Sequence, residues 1–267
     1  MKDILLLIHD DAGQEARLQC ALDIVRAVGG HLSCIDVSLM PVVADWAYDG
    51  SADAILLEEE RSRESANKAK LERRLEHEDV PWTWVDMTGG FVPCLKEAAA
   101  LADLIVLNRK LDNFPCPDMQ KVAAEILLDT GKPILAVPDD IRRFPVDGRA
   151  LVAWDGSSHA AAALQAAVPL LRFAAEVILF EIDDGSVRMP AEQAAGLLSH
   201  NDIHPRIVRD FALGNPIASI LLAGVKVQRA DYVVMGAYSH MRMTEALFGG
   251  ATRRMLSESP VPVFLAH

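Results

Sequence analysis

Long apolar runs, paired cysteines and a basic excess are all missing from this 267-residue chain. The first apolar stretch, Ile4 to Ile8, is closed by His9, Asp10 and Asp11, too soon for a secretory core. Ala160 to Phe180 is interrupted by Gln165, Pro169, Arg172 and Glu176. It reads as a helix followed by a buried strand, not as a membrane span. No targeting segment is visible, so a cytoplasmic protein with no membrane partner is expected. Cys20, Cys34, Cys94 and Cys116 have no close-paired spacing, which argues against a disulfide framework and for reduced thiols. Lys and Arg total 26 against 38 Asp and Glu, a net charge of −12 that disfavours nucleic acid and anionic lipid. With 51% hydrophobic and 24% charged residues, the chain has the composition of a packed globular protein.

Glycine is absent from Phe91 through Thr130, while the second half carries Gly236, Gly249 and Gly250 around one long loop. The charge is equally uneven. Residues 1–140 hold 14 basic and 26 acidic groups, and residues 141–267 hold 12 of each. An anion is therefore better received by the second half.

What is present is one plan written twice. Ile4–Ile8 followed by His9-Asp10-Asp11 matches Ala150–Trp154 followed by Asp155-Gly156-Ser157. Strands are predicted next at Leu32–Val37 and Val177–Ile182. Ala102-Asp-Leu-Ile-Val-Leu107 then matches Ala230-Asp-Tyr-Val-Val-Met235, and Pro133–Val137 matches Pro262–Ala266. Asp103 and Asp231 are 128 residues apart, and Pro133 and Pro262 are 129 apart, as an internal duplication requires. Near-continuous apolar strands alternating with helical stretches indicate parallel sheets covered on both faces. The expected fold is α/β: two tandem Rossmann-like domains, residues 1–140 and 149–267, each a five-stranded parallel sheet. Asp139–Gly148 reads as a polar linker, and a long charged helix is predicted over Ala54–His77. The two closing strands would be exposed edges unless they met, so the halves are expected to pack through them.

Ligands of open parallel sheets sit at the carboxyl ends of the strands. In the second half, Ala153-Trp154-Asp155, Glu181-Ile182-Asp183 and the loop from Gly236 to Thr252 should converge there. Glycines before a helix let backbone N–H groups approach an anion, and the helix start adds partial positive charge. Thr252 could donate a hydroxyl, and Arg253 or Arg254 could supply charge. His240 and Arg242 lie in the same loop, as a solvated stretch or as phosphate contacts. The equivalent first-half loop begins Asn108-Arg-Lys and contains Pro115 and Pro117, which remove two N–H donors. Asp155, Ser157, Ser158 and His159 include every residue type of a hydrolytic triad, but as neighbours on a turn they suit helix capping, and no catalytic residue is assigned. His200 and His204 are separated by Asn-Asp-Ile and followed by Pro205, which reads as a loop, and no metal site is assigned.

Asp155, Gly214-Asn-Pro216, Asp231–Gly236 and the loop to Gly249 together resemble the universal stress protein family in its tandem, two-domain form. That family's nucleotide motif is G-x2-G-x9-G-(S/T). Gly236 and Gly249 match it at the correct spacing, Ser239 replaces the middle glycine, and Gly250 replaces the Ser/Thr. The resemblance implies a stress-response protein with a sensor or interaction role, binding ATP, with or without Mg²⁺, in its second half. It places Asp155, Ala153, Trp154 and Ile182 on the adenine side. Met235 and Gly236 would meet the ribose, Ser239 the ribose or a phosphate, and Gly249, Gly250, Ala251 and Thr252 the phosphates. It also implies an intrachain pseudo-dimer of the halves, with homodimer formation open. Two other readings stand: a slow ATP hydrolase using Asp155 or Asp183 for Mg²⁺, and a nucleotide-free scaffold.

Overall fold

The computed structural model describes residues 1–39, 51–109, 118–185, 187, 189–237 and 250–267. The first half runs β1 (Asp3–Ile8), α1 (Gln14–Val28), β2 (His31–Leu39), α2 (Ser51–Leu75), β3 (Trp82–Gly89), α3 (Phe91–Ala98), β4 (Leu104–Asn108), α4 (Met119–Thr130) and β5 (Ile134–Val137). The second half repeats the order with β6 (Arg149–Trp154), α5 (Ser158–Leu171), β7 (Glu176–Asp183), α6 (Ala191–Ser199), β8 (Arg206–Phe211), α7 (Ile217–Gln228), β9 (Tyr232–Gly236), α8 (Gly250–Glu258) and β10 (Val263–Ala266).

Local chemistry sets the boundaries. The Ser157 hydroxyl accepts the Ala160 N–H (3.1 Å) and starts α5, and Asp118 accepts N–H groups of Gln120 and Lys121 at the start of α4. Gly29 and Gly131, at φ 57° and 64°, end α1 and α4 in the left-handed conformation that glycine adopts at least cost.

The described strands form one ten-stranded sheet in the order β3-β2-β1-β4-β5-β10-β9-β6-β7-β8. Within each half every pairing is parallel, and the single antiparallel seam joins β5 to β10, with Phe264 opposite Leu135. The duplication reaches single hydrogen bonds. Asp103 accepts the N–H of Asp3 (3.2 Å) at the start of β1, and Asp231 accepts that of Arg149 (2.7 Å) at the start of β6.

Alternate residues along each strand feed two apolar layers, one per sheet face, and both layers cross the seam. Ile4, Leu135, Phe264 and Val152 share one with residues of α1, α5 and α6, while Leu5, Ile134, Leu265 and Leu151 share the other with residues of α3, α4, α7 and α8. The connecting segment differs from a free polar linker. Phe144 is buried, stacks against Tyr232 at 4.9 Å, and its N–H donates to Asp23 of α1 (2.8 Å).

Candidate functional site

Because β5 and β10 run antiparallel, the carboxyl ends of the two sets of parallel strands point to opposite edges of the sheet. Each half therefore offers its own edge to ligands.

At the second-half edge, Ala153, Ile182 and Met235 lie on neighbouring strands β6, β7 and β9 and face the same layer, with Ile182 and Met235 buried. Trp154 points to the other face: it is buried among residues of α5 and α6, and its indole N–H donates to the Met189 carbonyl (2.8 Å). Asp155 is exposed, and one carboxylate oxygen accepts the Ser157 N–H (2.9 Å) in an Asx turn. Asp183 makes the same kind of turn to the Gly185 N–H (2.8 Å). Gly236 ends β9 against the first turn of α5, where a Cβ would sit 2.6 Å from the Ala160 nitrogen. Glycine is thus required there by packing alone.

Helix α8 begins at Gly250, and its first turn, Gly250-Ala251-Thr252, holds no acidic residue. Its leading N–H groups carry the partial positive charge of a helix start. A Cβ built on Gly250 meets no atom of the described residues within 4 Å. Thr252 is buried. Arg254 is held by Glu258 and the Ser219 hydroxyl. Ser239, Gly249, His240 and Arg242 lie outside the described residues, as do Pro115, Cys116 and Pro117 of the first half. Helix α6 ends at Ser199, so His200 and His204 do not share a helix face. Among the described residues, no group of three or more His, Cys, Asp or Glu is arranged to hold a metal. No described helix is long and apolar enough to cross a membrane.

The first-half edge is built differently, and sequence reasoning missed it. Arg17 of α1 is fully buried and forks onto Asp11 at 2.9 and 2.6 Å, while also donating to the carbonyls of Leu7 and His9. His9 occupies the position that Asp155 holds in the second half, since Ile4 and Ala150 begin equivalent pairings with β4 and β9. By the same register Asp36 of β2 is the counterpart of Glu181 of β7. Glu181 is satisfied: it accepts the Ala191 N–H that opens α6 (2.7 Å) and pairs with Arg209 of β8 (2.7 Å). Asp36 instead faces a carboxylate on each side, Asp86 of β3 and Glu64 of α2. Burial, with those two charges, pushes the Asp36 carboxyl up to about 8. A cavity of about 260 Å³ opens beside this edge between the β1–α1 turn and α2, lined in part by Asp10, Gln14, Glu15 and Arg74. No sequence signal marked Glu64, because α2 is charged along most of its length.

A scan of the sequence against family models gives no match, and a search of curated proteins gives none either. Solved structures do match. The chain is similar to a universal stress protein from Archaeoglobus fulgidus DSM 4304, with a TM-score of 0.77 at 17% identity over 99% of this chain and 97% of that one. It is also similar to a putative universal stress protein from Pseudomonas aeruginosa UCBPP-PA14, with a TM-score of 0.66 at 17% identity over 100% and 93%. A functionally unknown protein from Pseudomonas aeruginosa PAO1 matches at 0.63 and 17% identity over 100% and 92%. The shared feature is the fold along the whole chain.

Proposed function

We propose that this chain is a tandem universal stress protein of the cytoplasm that binds an adenine nucleotide at the carboxyl edge of its second half. Its role is sensing or interaction in a stress response, and the two halves stand in for the dimer of single-domain proteins. The observation that carries the reading is the first turn of α8. No described residue crowds Gly250, the turn holds no acid, and the turn follows a loop in which Gly236 and Gly249 keep the spacing of the family's nucleotide motif. Full-length similarity to universal stress protein structures supports it.

The residues present fit such a ligand in kind. The α8 turn would take the phosphates on backbone N–H groups, with Thr252 behind it. Asp155 would accept from the adenine or ribose with the carboxylate oxygen not used by Ser157. Ala153 and Ile182 would present an apolar wall to the base. A bound nucleotide supplies the polyphosphate charge, and any Mg²⁺ would be held by those phosphates together with Asp155 or Asp183. No general base or nucleophile is assigned at this edge, which disfavours vigorous hydrolysis.

Calorimetric titration of the intact chain with ATP tests the proposal, beside a mass spectrum of the purified protein for retained nucleotide. Gly250→Val is the informative variant, because a Cβ there meets no described residue yet would stand where a phosphate must approach. Losing one or two charge-assisted hydrogen bonds, about 1.5–3 kcal/mol each, weakens binding at least tenfold. If the unmutated chain binds no ATP at millimolar concentration, the replacements at Ser239 and Gly250 have closed the site, and the nucleotide-free scaffold becomes the reading.

A further inference from the structure

The buried face of α2 changes character along its length. Leu75 and Leu71 are apolar and sit in the core, but the next two buried positions up the same stripe are Asn67 and Glu64. Asn67 exchanges two 2.8 Å hydrogen bonds with Gln14 of α1. Glu64 reaches over the carboxyl edge of the sheet to His9, with 3.0 Å between Oε1 and Nδ1, and to Asp36. The His9 contact is off the ring N–H direction and is electrostatic in kind. Both side chains are about 96% buried or more, and among the described residues neither Glu64 oxygen nor one Asp36 oxygen has a hydrogen-bond donor.

We propose that His9, Glu64 and Asp36 form a proton-linked latch that closes the upper turns of α2 over the first-half carboxyl edge and releases them as pH rises. The chemistry follows from the contact itself. Glu64 and Asp36 are buried side by side and neither Glu64 oxygen has a described hydrogen-bond donor, so ionising both is costly and the closed arrangement holds a proton that the open one, with both groups in water, gives up. The internal duplicate serves as a control. In the second half the equivalent acid, Glu181, is neutralised by Arg209 and by the helix-opening N–H of Ala191. In the first half β3 presents Asp86 where β8 presents Arg209, and Lys68 of α2 is drawn to Asp86. Around Asp36 the described charged and titratable groups are therefore Glu64 and Lys68 from α2, Asp86 from β3 and His9 at the end of β1. Only Lys68 is a permanent cation, and it is already paired.

The sign is fixed by the raised value at Asp36. The proton is bound in the closed state up to about pH 8, whereas the ordinary value is 3.8. Latch stability is therefore complete below that ordinary value and declines as pH rises through about 8. Above that, the closed form must bury both carboxylates as anions.

The test uses the full chain and reads hydrogen-exchange protection of the 62–68 segment, corrected for the intrinsic pH dependence of exchange. Protection should fall at least tenfold between pH 6 and pH 9.5, on the scale of about one decade per unit of pKa difference. The 71–75 segment, held by Leu71 and Leu75, should change far less. Glu64→Gln places an amide donor permanently against Asp36 and should hold the protection nearly constant with pH. Asp36→Asn provides the same readout if Glu64→Gln does not fold. Flat protection in the unmutated chain overturns the latch, as does a fall of the same size in either variant.

Discussion

Removing Arg17 should be among the most damaging single changes available to this protein. Its guanidinium is 1% exposed and makes four bonds: two to the Asp11 carboxylate, one to the Leu7 carbonyl at 3.2 Å and one to the His9 carbonyl at 3.2 Å. The Asp11 side chain is itself 4% exposed, and without Arg17 the Gly13 N–H at 2.7 Å is its one remaining hydrogen-bond donor among the described residues. Arg17→Met fills most of the volume but strands a buried carboxylate, and breaking a buried pair from one side costs about 3–5 kcal/mol. That is a large part of the 5–15 kcal/mol typical of a whole domain. Arg17→Lys keeps the charge and loses the fork, so it should lie between the parent and Arg17→Met. In the double variant Arg17→Met/Asp11→Asn the stranded charge disappears, and part of the loss should return. Urea unfolding at pH 7 followed by circular dichroism measures all four proteins. A loss below about 1 kcal/mol for Arg17→Met, or a double variant worse than the single, refutes the reasoning.

Four further outcomes follow from the packing. Gly236→Ala would press a methyl group against backbone 2.6 Å away, so it should lower stability by about 1–3 kcal/mol in thermal melts with or without nucleotide. Tyr232 is fully buried and its hydroxyl has no hydrogen-bond partner among the described residues; Tyr232→Phe should be neutral or stabilising by about 1 kcal/mol, and a clear loss in the melting midpoint would contradict that. Val263→Lys/Leu265→Lys buries charge at the seam between β5 and β9, and should lower the unfolding midpoint and expand the particle in small-angle scattering. Burial pushes the Cys34 thiol up to about 12 and also raises Cys20 and Cys94, so all three should resist thiol reagents at pH 8 until the chain is unfolded.

Much of the architecture was readable because burial on both faces of a parallel strand leaves little room for polar residues. Ile4–Ile8, Ala150–Trp154 and the two proline-led closing strands stand out for that reason. The long helix was also legible, running Ser51–Leu75 where Ala54–His77 was predicted. The edge strands were not. β3 and β8 are exposed on one side and carry Trp, Thr, Asp and Arg, which blurs the apolar signal. The segment after β5 reads as a polar linker, yet Phe144 and Val146 fasten it to the core. At the candidate site, spacing located the strand ends and the presence of α8, while side-chain direction was hidden. Ala153 and Trp154 are neighbours in sequence, but alternation sends them to opposite faces.

The sequence by itself determined the duplication, the α/β class and the strand ends where ligands would gather, because these rest on local periodicity and spacing. It also pointed to the two closing strands as the place where the halves meet. Only the tertiary structure decided that these strands pair antiparallel into one sheet, so that the ligand edges face opposite ways. It alone decided which buried charges meet. Asp36 and Glu181 hold the same place in the repeat, yet one faces Asp86 and Glu64 while the other faces Arg209 and a helix-opening N–H. The neighbours that set a carboxyl group's state come from strands and helices distant in the chain, and no local pattern encodes them.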